Sequence, residues 1–231
     1  MRPICRVVAG LGLTVMAAFG SSQVMAAQQA VPGQVLPSFT LKALNPDTAG
    51  ANYVKTTVFV GPQGSKKAAV ISFFATYCEP CQKEMPFLAA LQEAYRDAGL
   101  QVLLVSIDTE ASEIDKAKAL AETHGLKFPV LSDRFNIVAK RYQVSELPCV
   151  YTADQAGLIQ TVHTGYGEDA GQVLLDDVRT ILGVSPDVPL PSSLSSFFNP
   201  PVVEAPKVVA KPPARGKKKR KKKKTRARRK K

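Results

Sequence analysis

The sequence is poor in the residues that bind metals and staple small domains. It has four cysteines and two histidines in 231 residues. A structural zinc site needs four Cys or His ligands, usually as two separated pairs. Only one C-x-x-C occurs, Cys78 and Cys81, and His124 and His163 each lack a partner at ligand spacing. No metal site is expected. A scaffold of several disulfides is excluded as well. If Cys5 is lost with a leader, Cys78, Cys81 and Cys149 remain, enough for one pair and one odd thiol.

A long apolar run is missing at the N-terminus. Residues 7 to 20, VVAGLGLTVMAAFG, make only 14, short of the about 20 that a membrane-crossing helix needs. Arg2 and Arg6 precede this stretch, and Val24 and Ala26 stand at −3 and −1 before Ala27. That is the pattern of a secretory signal peptide over residues 1–26. An uncleaved anchor is the alternative, and both export the body, to the periplasm or cell envelope. Cys5 lies ahead of the apolar stretch, so no lipid-attachment signal is read. Export makes disulfide chemistry possible.

Acidic residues are missing from the other end. Residues 207–231 hold 16 Lys or Arg and no acid, whereas residues 1–206 hold 15 basic and 19 acidic residues, a net of −4. The overall +12 therefore describes a tail, not the body. Eight of the 17 prolines fall between Pro186 and Pro213. Residues 184–216 read as a Pro-rich linker and 217–231 as a polybasic tail, disordered by self-repulsion. No aromatic residue interrupts the tail, so base stacking, and with it specific nucleic-acid binding, is not expected.

Between these ends the pattern alternates. SFTLKAL (38–44) and KTTVFV (55–60) read as short strands separated by turn residues. AAVISFFA (68–75) and LQVLLVSID (100–108) are strands buried on both faces. Residues 78 to about 98 turn helical, with Leu88, Leu91 and Tyr95 on one face and Gly99 as the stop. Ser112 is the expected cap of a helix from about Glu113 to His124. FPVLSD is a short strand, RFNIVAKRY a short helix, and CVYTAD and GLIQTVHTG two strands joined by a tight turn. DAGQVLLDDVRTIL is a last amphipathic helix ending at Gly183. This order makes an α/β domain over residues 31–183, a central mixed sheet flanked by helices.

The chemistry concentrates in FFATYCEPCQKEMP, residues 73–86. A zinc site lacks its second pair, and a static bridge across two residues restricts the unfolded chain little. A redox pair fits the location, because the cysteines follow a buried strand and open a helix, as in a thioredoxin-like unit. Cys78 would meet unpaired backbone N–H groups and the positive end of the helix dipole, which favour thiolate over thiol. Cys78 is then the attacking sulfur and Cys81 the resolving one. Glu84, three residues after Cys81 on the same face, can take the Cys81 proton if burial raises its pKa. A solvated first-turn glutamate is the plainer alternative.

This segment resembles the active-site signature of the TlpA/ResA-like thiol-disulfide oxidoreductases, a branch of the thioredoxin superfamily. VLPSFTLKAL resembles their N-terminal β extension, and YQVSELPCVYTAD the segment with their cis-proline loop. Tyr77 replaces the usual tryptophan, and Cys149 stands where threonine is common. The resemblance implies a thioredoxin-like fold and a cis Leu147–Pro148 bond. It also implies a substrate-binding surface of Tyr77, Leu147 and Pro148, and no cofactor beyond a redox-active Cys78–Cys81 disulfide. Cys149 would lie near the pair, either as a small buried side chain or as a third redox thiol. The implied activity is exchange with substrate protein thiols and disulfides, as a reductant, including in cytochrome c maturation, fed by a membrane thiol donor such as a DsbD/CcdA-like protein. The tail would add an anionic envelope surface as partner. A redox-inactive adaptor acting through its tail is the competing reading. A peroxidase is disfavoured, since no Thr-x-x-Cys signature ends at Cys78.

Overall fold

The structure is a computed structural model and describes residues 30–198; the expected signal peptide and the basic tail lie outside the described residues. The two mainly apolar runs form the centre. β3 (Ala68–Phe74) and β4 (Leu100–Ser106) are buried along their whole length and pair in parallel. β5 (Val130–Ser132) continues the parallel run beyond β4. β6 (Cys149–Asp154) lies antiparallel on the other side of β3, and β7 (Ile159–Thr164) closes that edge as a hairpin. β1 (Thr40–Ala43) and β2 (Tyr53–Lys55) pair with each other and attach antiparallel to β5. The seven-stranded sheet has the order β2-β1-β5-β4-β3-β6-β7.

Alternation along β3 decides what each face meets. Val70 and Phe74 point into one core, with Leu88, Leu91 and Val178, and Ile71 and Phe73 into the other, with Tyr142 and Tyr151. The first core is covered by α2 (Glu79–Tyr95) and α5 (Ala170–Leu182). α3 (Ala111–Thr123) adds Ala117 and Ala121 to it. α4 (Ile137–Arg141) covers the second core with Val138 and Ala139. A four-residue helix, α1 (Pro46–Ala49), fills the turn after β1.

Three local readings are corrected. KTTVFV is not a strand: β2 stops at Lys55, and a 3-10 turn, Thr56–Val58, follows. Thr56 turns the chain by accepting the Phe39 N–H on its hydroxyl (3.1 Å) while its own N–H donates to the Phe39 carbonyl (3.1 Å). Ser112 does not cap α3. Glu110 stands at that position, and its carbonyl accepts the N–H groups of Glu113 and Ile114. The expected linker does not begin at 184. Residues 184–198 return to the body and end in α6 (Ser192–Phe198), whose Leu194 is completely buried. Phe197 and Phe198 meet the Phe87 ring of α2 edge-on, at centroid distances of 5.6 and 6.0 Å. Arg179 of α5 fastens the connection by donating to the carbonyls of Ser185 and, at 2.6 Å, Val188.

Candidate active site

The site forms where β3 ends and α2 begins. Cys78 takes an extended conformation at the N-cap of α2, and its Sγ accepts the Cys81 N–H at 3.2 Å. A cysteine thus occupies the position where Ser, Thr or Asp oxygens usually satisfy the free amides of a first turn. Cys78 and Cys81 are joined by a disulfide, with Cα atoms 5.3 Å apart. Cys78 is 8 % exposed and Cys81 1 %, so the first sulfur is the nearer to solvent. Tyr77 stands out beside them at 73 % exposure.

The loop before Cys78 is pinned from two sides. Asp108, buried just past β4, accepts the Thr76 N–H on both carboxylate oxygens (3.1 and 3.2 Å) and the Thr76 hydroxyl at 3.0 Å. The Ser106 hydroxyl donates to the same carboxylate at 2.8 Å. From α2, the Gln82 side-chain amide donates to the Thr76 carbonyl at 2.8 Å. The sequence reading took Asp108 for the last residue of a strand and missed it. Its signal was an acidic side chain closing a mainly apolar parallel strand, at the carboxyl end where open α/β sheets build their sites.

One turn after Cys81 in α2 stands Glu84, 2 % exposed, its carboxylate accepting the Ser72 hydroxyl at 2.8 Å. Burial pushes the carboxyl up to about 7, against a smaller downward pull from the Ser72 hydrogen bond. The plainer alternative, a solvated first-turn glutamate, does not describe it. The solvated first-turn acid is Glu79, which pairs with Lys83 at 2.7 Å on the surface.

The Leu147–Pro148 bond is cis. Cys149 pairs in register with Phe73, so Pro148 sits one residue beyond, at the same end of the sheet as Cys78. The Pro148 carbonyl accepts the Gly165 N–H at 2.8 Å, and Leu147 packs against both cores. Cys149 is a free, buried thiol. Burial pushes its pKa up, and the charge of Glu84 adds to this against a hydrogen bond with Tyr151. A thiol held in that form is a poor nucleophile. Beside Glu84 a cavity of about 320 Å³ opens between β6, β7 and α5. The larger cavity, about 760 Å³, lies along β1, β5 and α4, and none of the expected site residues lines it.

Residues 32–162 match the model of the AhpC/TSA family. The thioredoxin-like protein YneN of Bacillus subtilis is 34 % identical over 133 residues, 58 % of this chain and 71 % of that protein. The thiol-disulfide oxidoreductase ResA of Geobacillus thermodenitrificans is 30 % identical over 157 residues, 68 % of this chain and 80 % of that one. A crystal structure from Chlorobium tepidum, provisionally assigned as the thiol:disulfide interchange protein DsbE, superposes with a TM-score of 0.58 at 22 % identity. It covers 66 % of this chain and 99 % of its own. At that identity the superposition speaks for the thioredoxin-like fold.

Proposed function

The chain belongs to the AhpC/TSA family and, within it, to the ResA-like thiol-disulfide oxidoreductases, and from that premise we propose that it is an exported reductant of protein disulfides. It is a thiol-disulfide oxidoreductase, and its partners are the thiols and disulfides of substrate proteins. The finer reading adds a compartment, a direction and roles for single residues. The observation that carries it is a cysteine at a helix N-terminus bridged to an inward neighbour, with a buried carboxyl of raised pKa one turn further along the same helix.

A membrane thiol donor of the DsbD/CcdA type delivers two electrons and opens the Cys78–Cys81 bridge. Cys78, ionised at the head of α2, attacks a substrate disulfide and releases one substrate thiolate. Glu84 takes the proton of Cys81, whose sulfur then attacks Cys78 and releases the second. The enzyme disulfide re-forms, and both electrons leave with the substrate. The edge of the cis-Pro148 loop, with Leu147 and Tyr77, offers backbone and an aromatic face to the substrate chain. Cysteines of apocytochrome c awaiting haem are one substrate class this supports. The signal-like leader supports export, and the basic tail supports a hold on an anionic envelope surface. Cys149 is proposed as a packing residue, because its surroundings disfavour the thiolate.

The test is insulin reduction together with trapping. Cys78→Ser is expected to abolish turnover, and Cys81→Ser to accumulate a mixed disulfide visible on a non-reducing gel. A Cys78→Ser protein as active as its parent would leave the adaptor reading instead. The midpoint potential of the pair fixes direction: a reductant falls near thioredoxin, about −270 mV, and an oxidant near DsbA, about −120 mV.

A further inference from the structure

Glu84 is buried, so a proton that it takes from Cys81 can reach solvent only along a path through the fold. The sheet register shows a way out. Ser72 of β3 pairs with Val150 of β6, and Val150 pairs with His163 of β7. Directly opposed residues share a face at about 5 Å per strand. Ser72, Val150 and His163 therefore form one row under α2 and α5, from the centre of the sheet to its edge. Glu84 is tied to the inner end of the row through Ser72 at 2.8 Å. The cavity of about 320 Å³ follows the same line, with Glu84, Val150 and His163 in its wall together with Thr164, Gly165 and Gly167.

The outer end is organised. His163 Nε2 lies 2.6 Å from Asp177 Oδ2 of α5 and 3.1 Å from the Thr161 hydroxyl, which itself donates to Asp177 at 2.8 Å. The His163 side chain is 31 % exposed, so the ring touches both the cavity and solvent. The bend after β7 leaves the wall open: a Cβ at Gly165 or Gly167 would meet nothing within 4 Å, so neither glycine fills a packed niche. A carboxyl, an imidazole and a threonine give the cavity the polar partners that ordered water needs, and its volume admits several waters.

We propose that this cavity is the proton outlet of the active site, with His163, held by Asp177, as the group that exchanges Glu84's proton with solvent. The inference rests on the reading of Glu84 as the base for Cys81. When Cys81 loses its proton to Glu84 and its sulfur displaces the substrate from Cys78, the Cys78–Cys81 bond forms and the substrate–Cys78 bond breaks. The substrate leaves as a thiolate and is protonated from solvent. Glu84's proton crosses the cavity water to the free ring nitrogen of His163 and passes to bulk. The reverse transfer re-protonates Cys81 when the donor opens the bridge. Imidazole exchanges protons readily near neutrality, which suits the task. The other titratable groups that feel the charge of Glu84 are Cys149 on β6 and Tyr166 after β7. Burial holds Cys149 and Tyr166 protonated at neutral pH, so neither competes as an outlet.

The experiment measures steady-state release of substrate thiols by the full chain over many turnovers, with a small dithiol as electron donor, in weakly buffered solution from pH 6 to 8, so that Glu84 has to be reset before each cycle. His163→Gln is expected to slow release about 10-fold, and added free imidazole to restore it. Glu84→Gln is expected to slow release without rescue, and the double variant to be no slower than Glu84→Gln alone. If Glu84→Gln is slow but His163→Gln matches the parent at every pH, the outlet is wrong and the base stands. If His163→Gln is slow but imidazole does not rescue it, its role is structural and the outlet is overturned. If Glu84→Gln matches the parent, the base reading fails and takes the outlet with it.

Discussion

A single buried carboxyl, Glu84, makes the stability of this protein depend on pH. Glu84 titrates at about 7 in the fold against an ordinary 4.5, because burial favours its neutral form. Below pH 4.5 it is protonated both folded and unfolded and costs nothing. Between pH 4.5 and 7 the unfolded chain releases the proton first, so stability falls as pH rises and levels off above 7. The gap corresponds to a cost on the order of 3 kcal/mol at alkaline pH. Glu84→Gln removes the charge and keeps a group that can meet the Ser72 hydroxyl. The oxidised variant is therefore expected to exceed its parent by about this amount at pH 8, and to match it at pH 4.5. Urea unfolding at the two pH values checks this, and an equal difference at both would refute it. The cost marks a residue retained for its chemistry, since an apolar side chain would fill the same place more cheaply.

At the scale of elements, α6 is the part that composition misread. The segment PDVPLPSSLSSFFNP has the residues of an extended linker. Its few apolar residues show no run long enough to count as a helix signal. They become structural only because α2 offers Phe87 and its surroundings, with Arg179 closing over the connection. Leu194→Ala is expected to destabilise the fold by about 2–5 kcal/mol, as for any fully buried leucine. A solvated linker would show less than about 0.5 kcal/mol. Guanidinium unfolding of the two proteins decides between them. α2 itself behaved as its sequence suggests, from the cysteine that opens it to the face of Leu88 and Leu91 that it buries.

For the whole molecule, the charge asymmetry between body and tail is the dominant feature. Residues 207–231, outside the described residues, carry 16 cations against a body of net −4. Each cation is worth about 1 kcal/mol at an anionic bilayer, and screening at physiological salt limits the reach to about 8 Å. The full chain is expected to sediment with phosphatidylglycerol vesicles at low salt and to be released at 1 M salt. A chain ending at residue 206 should stay in solution, and neutral vesicles should bind neither. Equal sedimentation of the shortened chain would assign binding to the body.

The sequence by itself determined what depends on local pattern. β3 and β4 were legible because runs buried on both faces are predominantly apolar, with few polar residues among them. The helix ends at Gly125 and Gly183 were legible because glycine tolerates the left-handed turn there, whereas α2 stops earlier than its expected glycine, at Tyr95, and Gly99 serves the turn into β4. The cysteine pair was legible because a C-x-x-C between a buried strand and a helix has few other uses. Only the tertiary structure decided what depends on residues distant in the chain. Asp108 became the clamp of the Thr76 loop because β4 runs parallel to β3 and ends beside it. His163, which stood alone in the sequence, joined Asp177 and faced the cavity of Glu84 because three strands pair in one register. Spacing along a chain fixes which face of an element a side chain takes, but the element it meets is fixed only by how strands order and helices pack.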